Sequence, residues 1–128
     1  LVSSGYSNPY NTFITNSIGT LNVLETVRLN NFSTPIIIVT TDKVYKNEEK
    51  GIAFLESDEL KGKDPYSSSK SCAEQIAYSY ANLKKSMNIA TVRAGNIIGG
   101  GDWSKDRIIP DLINSIENNK RAVADTKL

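Results

Sequence analysis

Tyr66 and Lys70 stand four residues apart in the stretch DPYSSSKSCAE, residues 64–74. A phenol is a poor base at neutral pH, because its pKa lies near 10. An ammonium group within a few ångströms favours the phenolate and lowers that value. On a helix, residues i and i+4 share one face. Placed beside a bound alcohol, such a pair can take the hydroxyl proton while a hydride leaves the carbon. The plain alternative is a helix start with an ordinary surface tyrosine and lysine. With six tyrosines and eleven lysines in 128 residues the spacing also arises by chance, and Tyr80 with Lys84 repeats it.

Context separates the two copies. Thr41-Asp42-Lys43 follows the apolar, β-branched run PIIIVT at residues 35–40. A short run without alternation reads as a strand buried on both faces of a parallel sheet. In doubly wound sheets, ligands gather beyond the carboxyl ends of the strands. Thr41 would lie at that rim, where its hydroxyl can hydrogen-bond a substrate oxygen. A helix opening at Asp64-Pro65 can return Tyr66 and Lys70 to the same rim. Tyr80 and Lys84 lie roughly 21 Å further along such a helix, so they read as a chance match.

Composition narrows the chemistry further. The chain has no histidine and one cysteine, Cys72. A Ser-His-Asp triad, a Cys-His pair and a His-ligated metal site are therefore excluded, and no metal is expected. An internal disulfide is excluded too, which suits a reducing cytoplasm. Cys72 reads as a packing residue. The net charge of +1 gives no footprint for nucleic acid or a membrane surface. No apolar run reaches the 18 residues of a membrane span, and no signal-peptide core is present.

The elements that must position these residues follow from pattern. Asn8-Pro9 is a helix cap with proline at the first helical position. Ile14, Ile18, Leu21, Leu24 and Val27 then form one apolar face, ending near Asn30-Asn31. Residues 44–63 are charged and carry Gly51 and Gly62, as a surface loop does. The second helix has Ala73, Ile76, Ala77, Tyr80 and Leu83 among its apolar or aromatic positions. Residues 89–93, IATVR, give a second strand. GNIIGGGDW is a glycine-rich loop, and Ile109, Leu112, Ile113 and Ile116 mark one face of a last helix. Alternating helices and strands predict an α/β fold: part of a Rossmann-like doubly wound parallel sheet with flanking helices. Two strands are too few for such a sheet, and the chain opens on Leu1, so residues 1–128 read as a central piece of a larger domain.

TTDKVYKN, DPYSSSKSCAE and VRAGNIIGGGDWSKDRIIPD, in that order, resemble the extended short-chain dehydrogenase/reductase superfamily. Within it they are most similar to the sugar-nucleotide 4,6-dehydratases of the CDP-glucose type. NPYNTFITNSIGTLNVLETVR resembles the helix that precedes the catalytic strand there. The resemblance implies NAD as cofactor and a nucleotide sugar as substrate. It implies that Tyr66 is the general base and that Lys70 supports it and holds the nicotinamide ribose. Thr41 then faces the sugar C4 oxygen, and Asp42 protonates the departing C6 hydroxyl. Lys43 stands where the dTDP-glucose enzymes carry a glutamate that removes the C5 proton. It would act either as a neutral base or as a charged stabiliser of the enolate.

Asn96 matches a substrate contact and Asn16 a residue near the cofactor pocket. Trp103 and Arg107 become candidates for the nucleotide or its diphosphate, since Arg suits phosphate through its planar fork. UDP-GlcNAc 4,6-dehydratases share Thr-Asp-Lys, but the 23 positions from Lys43 to Tyr66 favour the CDP-glucose type. Another dehydratase or a 4-epimerase of the superfamily, or a non-catalytic remnant used in assembly, are the competing readings. The resemblance also implies a cytoplasmic enzyme of deoxysugar and O-antigen biosynthesis that is at least dimeric in full-length form. The glycine-rich turn for the cofactor pyrophosphate is absent from these residues and is expected upstream, with a substrate domain downstream.

Overall fold

The computed structural model describes residues 2–49, 51–83, 87–104 and 107–119, so Lys84 lies outside the described residues. Residues 1–95 form one compact unit and residues 96–128 a second. The first unit contains helices α1 (Val2–Ser7), α2 (Pro9–Phe13) and α3 (Gly19–Leu29), with a π-helical turn, Ile14–Ile18, between α2 and α3. Strand β1 (Ile36–Thr41), a 3-10 turn (Asp42–Val44), helix α4 (Pro65–Leu83) and strand β2 (Ile89–Ala94) follow. The second unit holds helix α5 (Ile108–Glu117). Among the described residues no helix is long and apolar enough to cross a membrane.

Strands β1 and β2 pair in parallel, with Ile36 opposite Ile89 and Thr40 opposite Arg93. Helix α4 lies between them in sequence, which makes a β-α-β unit. The predicted class, a Rossmann-like parallel sheet with flanking helices, is what these elements build. Both predicted helix starts are capped. The Asn8 side chain accepts from the Asn11 amide at 3.3 Å. Asp64 accepts from the Ser67 amide at 3.0 Å and the Ser67 hydroxyl at 2.5 Å.

The core joins Leu24 of α3, Ala77 of α4 and Met87, packed against Ile36, Ile38 and Ile89 of the sheet. The opposite face of β1 is open, with Ile37 64% and Val39 51% exposed. The strand is therefore not buried on both faces, as its composition predicts. The apolar core of this unit lies on one face of the sheet, so alternate β1 side chains remain uncovered.

The helical stripe is also altered. Leu24 is fully buried, but Ile14 and Ile18 are 42% and 40% exposed. The π turn explains this. It inserts one residue into the helical repeat and turns Asn16 and Ser17 toward α4, where they bond to Ser69. An extra residue rotates the preceding stripe by about 100° relative to the rest of the helix. Cys72, predicted to pack, is exposed on α4.

The chain approaches α4 closely before its first turn. A Cβ on Gly62 would lie 2.5 Å from the Ser67 carbonyl carbon and 2.6 Å from its Cβ. Neither atom can swing aside without moving the helix. Gly62→Ala should therefore destabilise the fold by about 1–3 kcal/mol, the range for overpacking. Denaturant midpoints would measure this, and a parent-like midpoint would show that the loop before α4 can yield.

Candidate active site

Thr41 is the last residue of β1 and is buried. Its hydroxyl donates to Asp42 Oδ1 at 3.1 Å and accepts from the Lys43 amide at 3.3 Å. The strand end thus becomes a tight turn that presents Asp42 and Lys43, both exposed, from a fixed base. Asp42 Oδ2 lies 3.7 Å from where a Cβ on Gly95 would stand, just beyond the end of β2.

Helix α4 meets this turn. The Ser71 hydroxyl donates to the carbonyl of Val44 at 3.2 Å, and Val44 is fully buried. Lys70 Nζ donates to the carbonyl of Val39 at 3.3 Å, two residues before Thr41. Burial of the ammonium pushes the Lys70 pKa below its ordinary value. Tyr66 is one helical turn earlier, half-buried in the first turn of α4. Helix α1, which no pattern in residues 2–7 announces, backs it: a Cβ on Gly5 would lie 3.1 Å from Tyr66 N.

The other Tyr-x-x-x-Lys copy is occupied elsewhere. The Tyr80 hydroxyl donates to Glu25 Oε2 at 2.9 Å, and this bond raises the Tyr80 pKa. Glu25 itself is held down to about 2, first by the Arg28 guanidinium and then by Tyr80. Tyr80 is thus a strut between α3 and α4.

Asn16 sits in the π turn and donates Nδ2 to Ser69 Oγ at 2.9 Å, while the Ser17 hydroxyl donates to the carbonyl of Ser69 at 3.0 Å. Its amide is therefore engaged with the helix that carries Tyr66 and Lys70. Asn96, Trp103 and Arg107 belong to the second unit. There Asn96 and Trp103 are exposed. Arg107 Nε pairs with Asp102 Oδ2 at 3.3 Å, next to the turn in which Gly101 has φ +82°. Asp102 is held below the usual carboxylate range, chiefly by the Ser104 amide.

Sequence reasoning missed a polar network beside the Thr41–Lys43 turn. Arg93 Nε lies 2.9 Å from both carboxylate oxygens of Glu74, and Arg93 Nη2 lies 2.6 Å from Glu74 Oε2. Thr40 Oγ1 donates to Glu74 Oε1 at 2.5 Å. One signal was available. A charge within the strand IATVR demands a partner, because an unpaired buried charge is costly.

Residues 2–127 match the sequence model of the NAD dependent epimerase/dehydratase family. The chain belongs to this family. Among curated epimerase/dehydratase relatives, it is 41% identical to CDP-glucose 4,6-dehydratase of Salmonella typhimurium over 131 residues. That match covers 96% of the chain and 36% of the relative, so the chain spans little more than a third of its length. A structure of dTDP-glucose 4,6-dehydratase from Bacillus anthracis in complex with NAD superposes with a TM-score of 0.77 at 30% identity. It covers 86% of the chain, which matches 34% of that structure. A double mutant of the Streptomyces venezuelae dTDP-glucose 4,6-dehydratase, with NAD bound, superposes with a TM-score of 0.83. It covers 93% of this chain and 36% of its own, and at 21% identity it shows the shared epimerase/dehydratase fold alone.

Proposed function

We propose that the protein is an NAD-dependent sugar-nucleotide 4,6-dehydratase acting on CDP-glucose. The observation that carries this reading is the Thr41–Lys43 turn at the end of β1, with Lys70 hydrogen-bonded to the same strand. The 41% identity to CDP-glucose 4,6-dehydratase supports the choice of nucleotide sugar. These residues would form the central part of a larger NAD-binding domain, which agrees with the chain spanning 36% of that relative.

The residues fit one end of the cofactor. An ammonium has three donors. Lys70 gives one to Val39, on the strand whose end carries Thr41. It would offer the others to the nicotinamide ribose. NAD, when bound, would supply the hydride chemistry, oxidation at C4 and reduction at C6. The chain's own groups move the protons. Tyr66 takes the proton of the C4 hydroxyl, and the Lys70 charge favours its phenolate. Thr41 hydrogen-bonds the C4 oxygen as it becomes a ketone. That ketone acidifies C5, and Lys43 removes the C5 proton or stabilises the enolate. Asp42 protonates the C6 hydroxyl, which leaves as water; C5 takes a proton back from Lys43 or water, and solvent exchange passes the proton held by Tyr66 to Asp42. The balance is loss of one water and formation of a 4-keto-6-deoxy sugar, a precursor class for deoxysugars such as those of O-antigens.

Asn96, Trp103 and Arg107 would contact the nucleotide sugar, with a diphosphate competing against Asp102 for Arg107. Asn16 would act near the cofactor through its hold on Ser69. Exposed Tyr10, Ile14 and Val23 on one helical segment and Tyr78 on α4 suit a homodimer contact. A reducing, cytoplasmic setting suits the single exposed Cys72.

The test is turnover by the intact protein, these residues joined to whatever flanks them. With NAD and CDP-glucose it should release a 4-keto-6-deoxy product 18 mass units lighter than substrate (about the mass of one water, lost in the acid–base step). Absence of that product, with NAD bound, would overturn the reading.

A further inference from the structure

We propose that Glu74 and Arg93 are positioning residues that set the register between the helix bearing Tyr66 and Lys70 and the turn bearing Thr41, Asp42 and Lys43. The proposal rests on the catalytic reading above and adds two residues to it.

Three observations carry it. First, Tyr66, Lys70 and Glu74 recur every four residues on α4, so they form one stripe. Lys70 reaches β1 at Val39, and Glu74 reaches it at Thr40. Second, the ion pair holds both flanks of the catalytic triplet. Thr40 precedes it and donates to Glu74. Tyr45 follows it, and the Arg93 guanidinium stacks 4.6 Å above the Tyr45 ring. Third, the clamp extends into the loop beyond. Arg93 Nη1 donates to the carbonyl of Glu56 at 2.9 Å, and Phe54 stacks on Tyr45 with centroids 4.5 Å apart.

The turn is already fixed within itself by the Thr41 hydroxyl. Lys70 and Ser71 tie it to α4 through single hydrogen bonds to Val39 and Val44. The ion pair adds a multidentate link to those bonds: the Glu74 side chain is 4% exposed and that of Arg93 17%. Glu74 also strengthens the charged form of Arg93, whose pKa is raised chiefly by their hydrogen bonds. Stability alone does not call for such a pair, because well-packed apolar residues often replace buried ion pairs without loss. Geometry does, because a shift of about 1 Å in a catalytic group can cost about 10²-fold in rate.

The test follows from that contrast. Removing one charge strands the other, so Glu74→Leu and Arg93→Met are combined in one variant, which is expected to fold. In the intact protein its kcat should fall about 10²-fold while KM for CDP-glucose stays near the parent value. A folded double variant with parent kcat would overturn the proposal. So would a loss of activity explained wholly by a smaller folded fraction.

Amide exchange supplies a readout that needs no turnover. The amides of Tyr45, Lys46 and Lys61, which bond to Asp42, Glu59 and Val44, should exchange about tenfold faster, equivalent to about 1.4 kcal/mol of local opening. Amides within β1 should not change. Unchanged exchange around the turn would overturn the proposal even if the parent protein proved inactive on CDP-glucose, an outcome that separately rejects the functional reading.

Discussion

Tyr66→Phe should abolish oxidation at C4 in the intact protein. The substitution removes one oxygen and keeps the ring, the Cβ and the backbone, the last two of which Gly5 approaches. No histidine exists anywhere in the chain to take over the proton. The Thr41 hydroxyl is held within its own turn and is no base at neutral pH. Tyr80 offers no substitute, because it stands about 21 Å along the helix axis. Its hydroxyl is also given to Glu25, which raises its pKa, the wrong direction for a base. The expected loss is about 10⁴-fold, the upper end for general acid–base catalysis. Single-turnover absorbance of reduced NAD would follow it. Reduced cofactor formed at the parent rate by the Phe variant would remove Tyr66 from the mechanism.

Lys43→Met should leave C4 oxidation intact and slow the loss of water by about 10²-fold or more. Methionine keeps much of the stem volume and removes the charge. Lys43 is exposed within the turn, so the change opens no cavity in the core. Either role, neutral base or charged stabiliser, is lost together with the ammonium. The variant should therefore accumulate the 4-keto sugar with its C6 hydroxyl still attached, and C5 exchange with deuterated solvent should slow. Product formed at the parent rate would transfer the elimination step to Asp42 or to a bound water. The two variants separate the halves of the reaction: Tyr66 stops it before the ketone, Lys43 after it.

The elements that place these residues are legible in the sequence where local chemistry is strong. Asn8-Pro9 and Asp64-Pro65 mark helix starts that the structure caps as expected. PIIIVT and IATVR mark the paired strands. Periodicity failed where a helix departs from the α repeat. Nothing in ITNSI announces a π turn, because its cause is the pull of Ser69 on Asn16 and Ser17 from 52 or 53 residues away. The charges of the loop after Lys43 predict a surface segment. Most of it is exposed, but Val44 and Tyr45 are buried beneath it, held by α4 and Arg93. Those anchors depend on residues distant in sequence, which pattern within a short window does not register. The resemblance assigned roles residue by residue, yet it left out Glu74 and Arg93, which sit inside the quoted motifs DPYSSSKSCAE and VRAGN.

The open face of β1 governs how these residues behave when handled alone. Among the described residues, β1 pairs with β2 on one edge, and no strand pairs with its other edge, where the Val39 carbonyl accepts from Lys70. Ile37 and Val39 project from the uncovered face. IIIVTT, the whole of β1, has no charge and no proline, the composition of segments that stack into cross-β fibrils. An unblunted strand edge is a template for another chain. Residues 1–128 expressed by themselves therefore carry a built-in route to self-assembly. Solubility will depend on neighbouring strands and helices reaching β1 before a second copy does, which makes the order of synthesis and docking around this strand a determinant of yield.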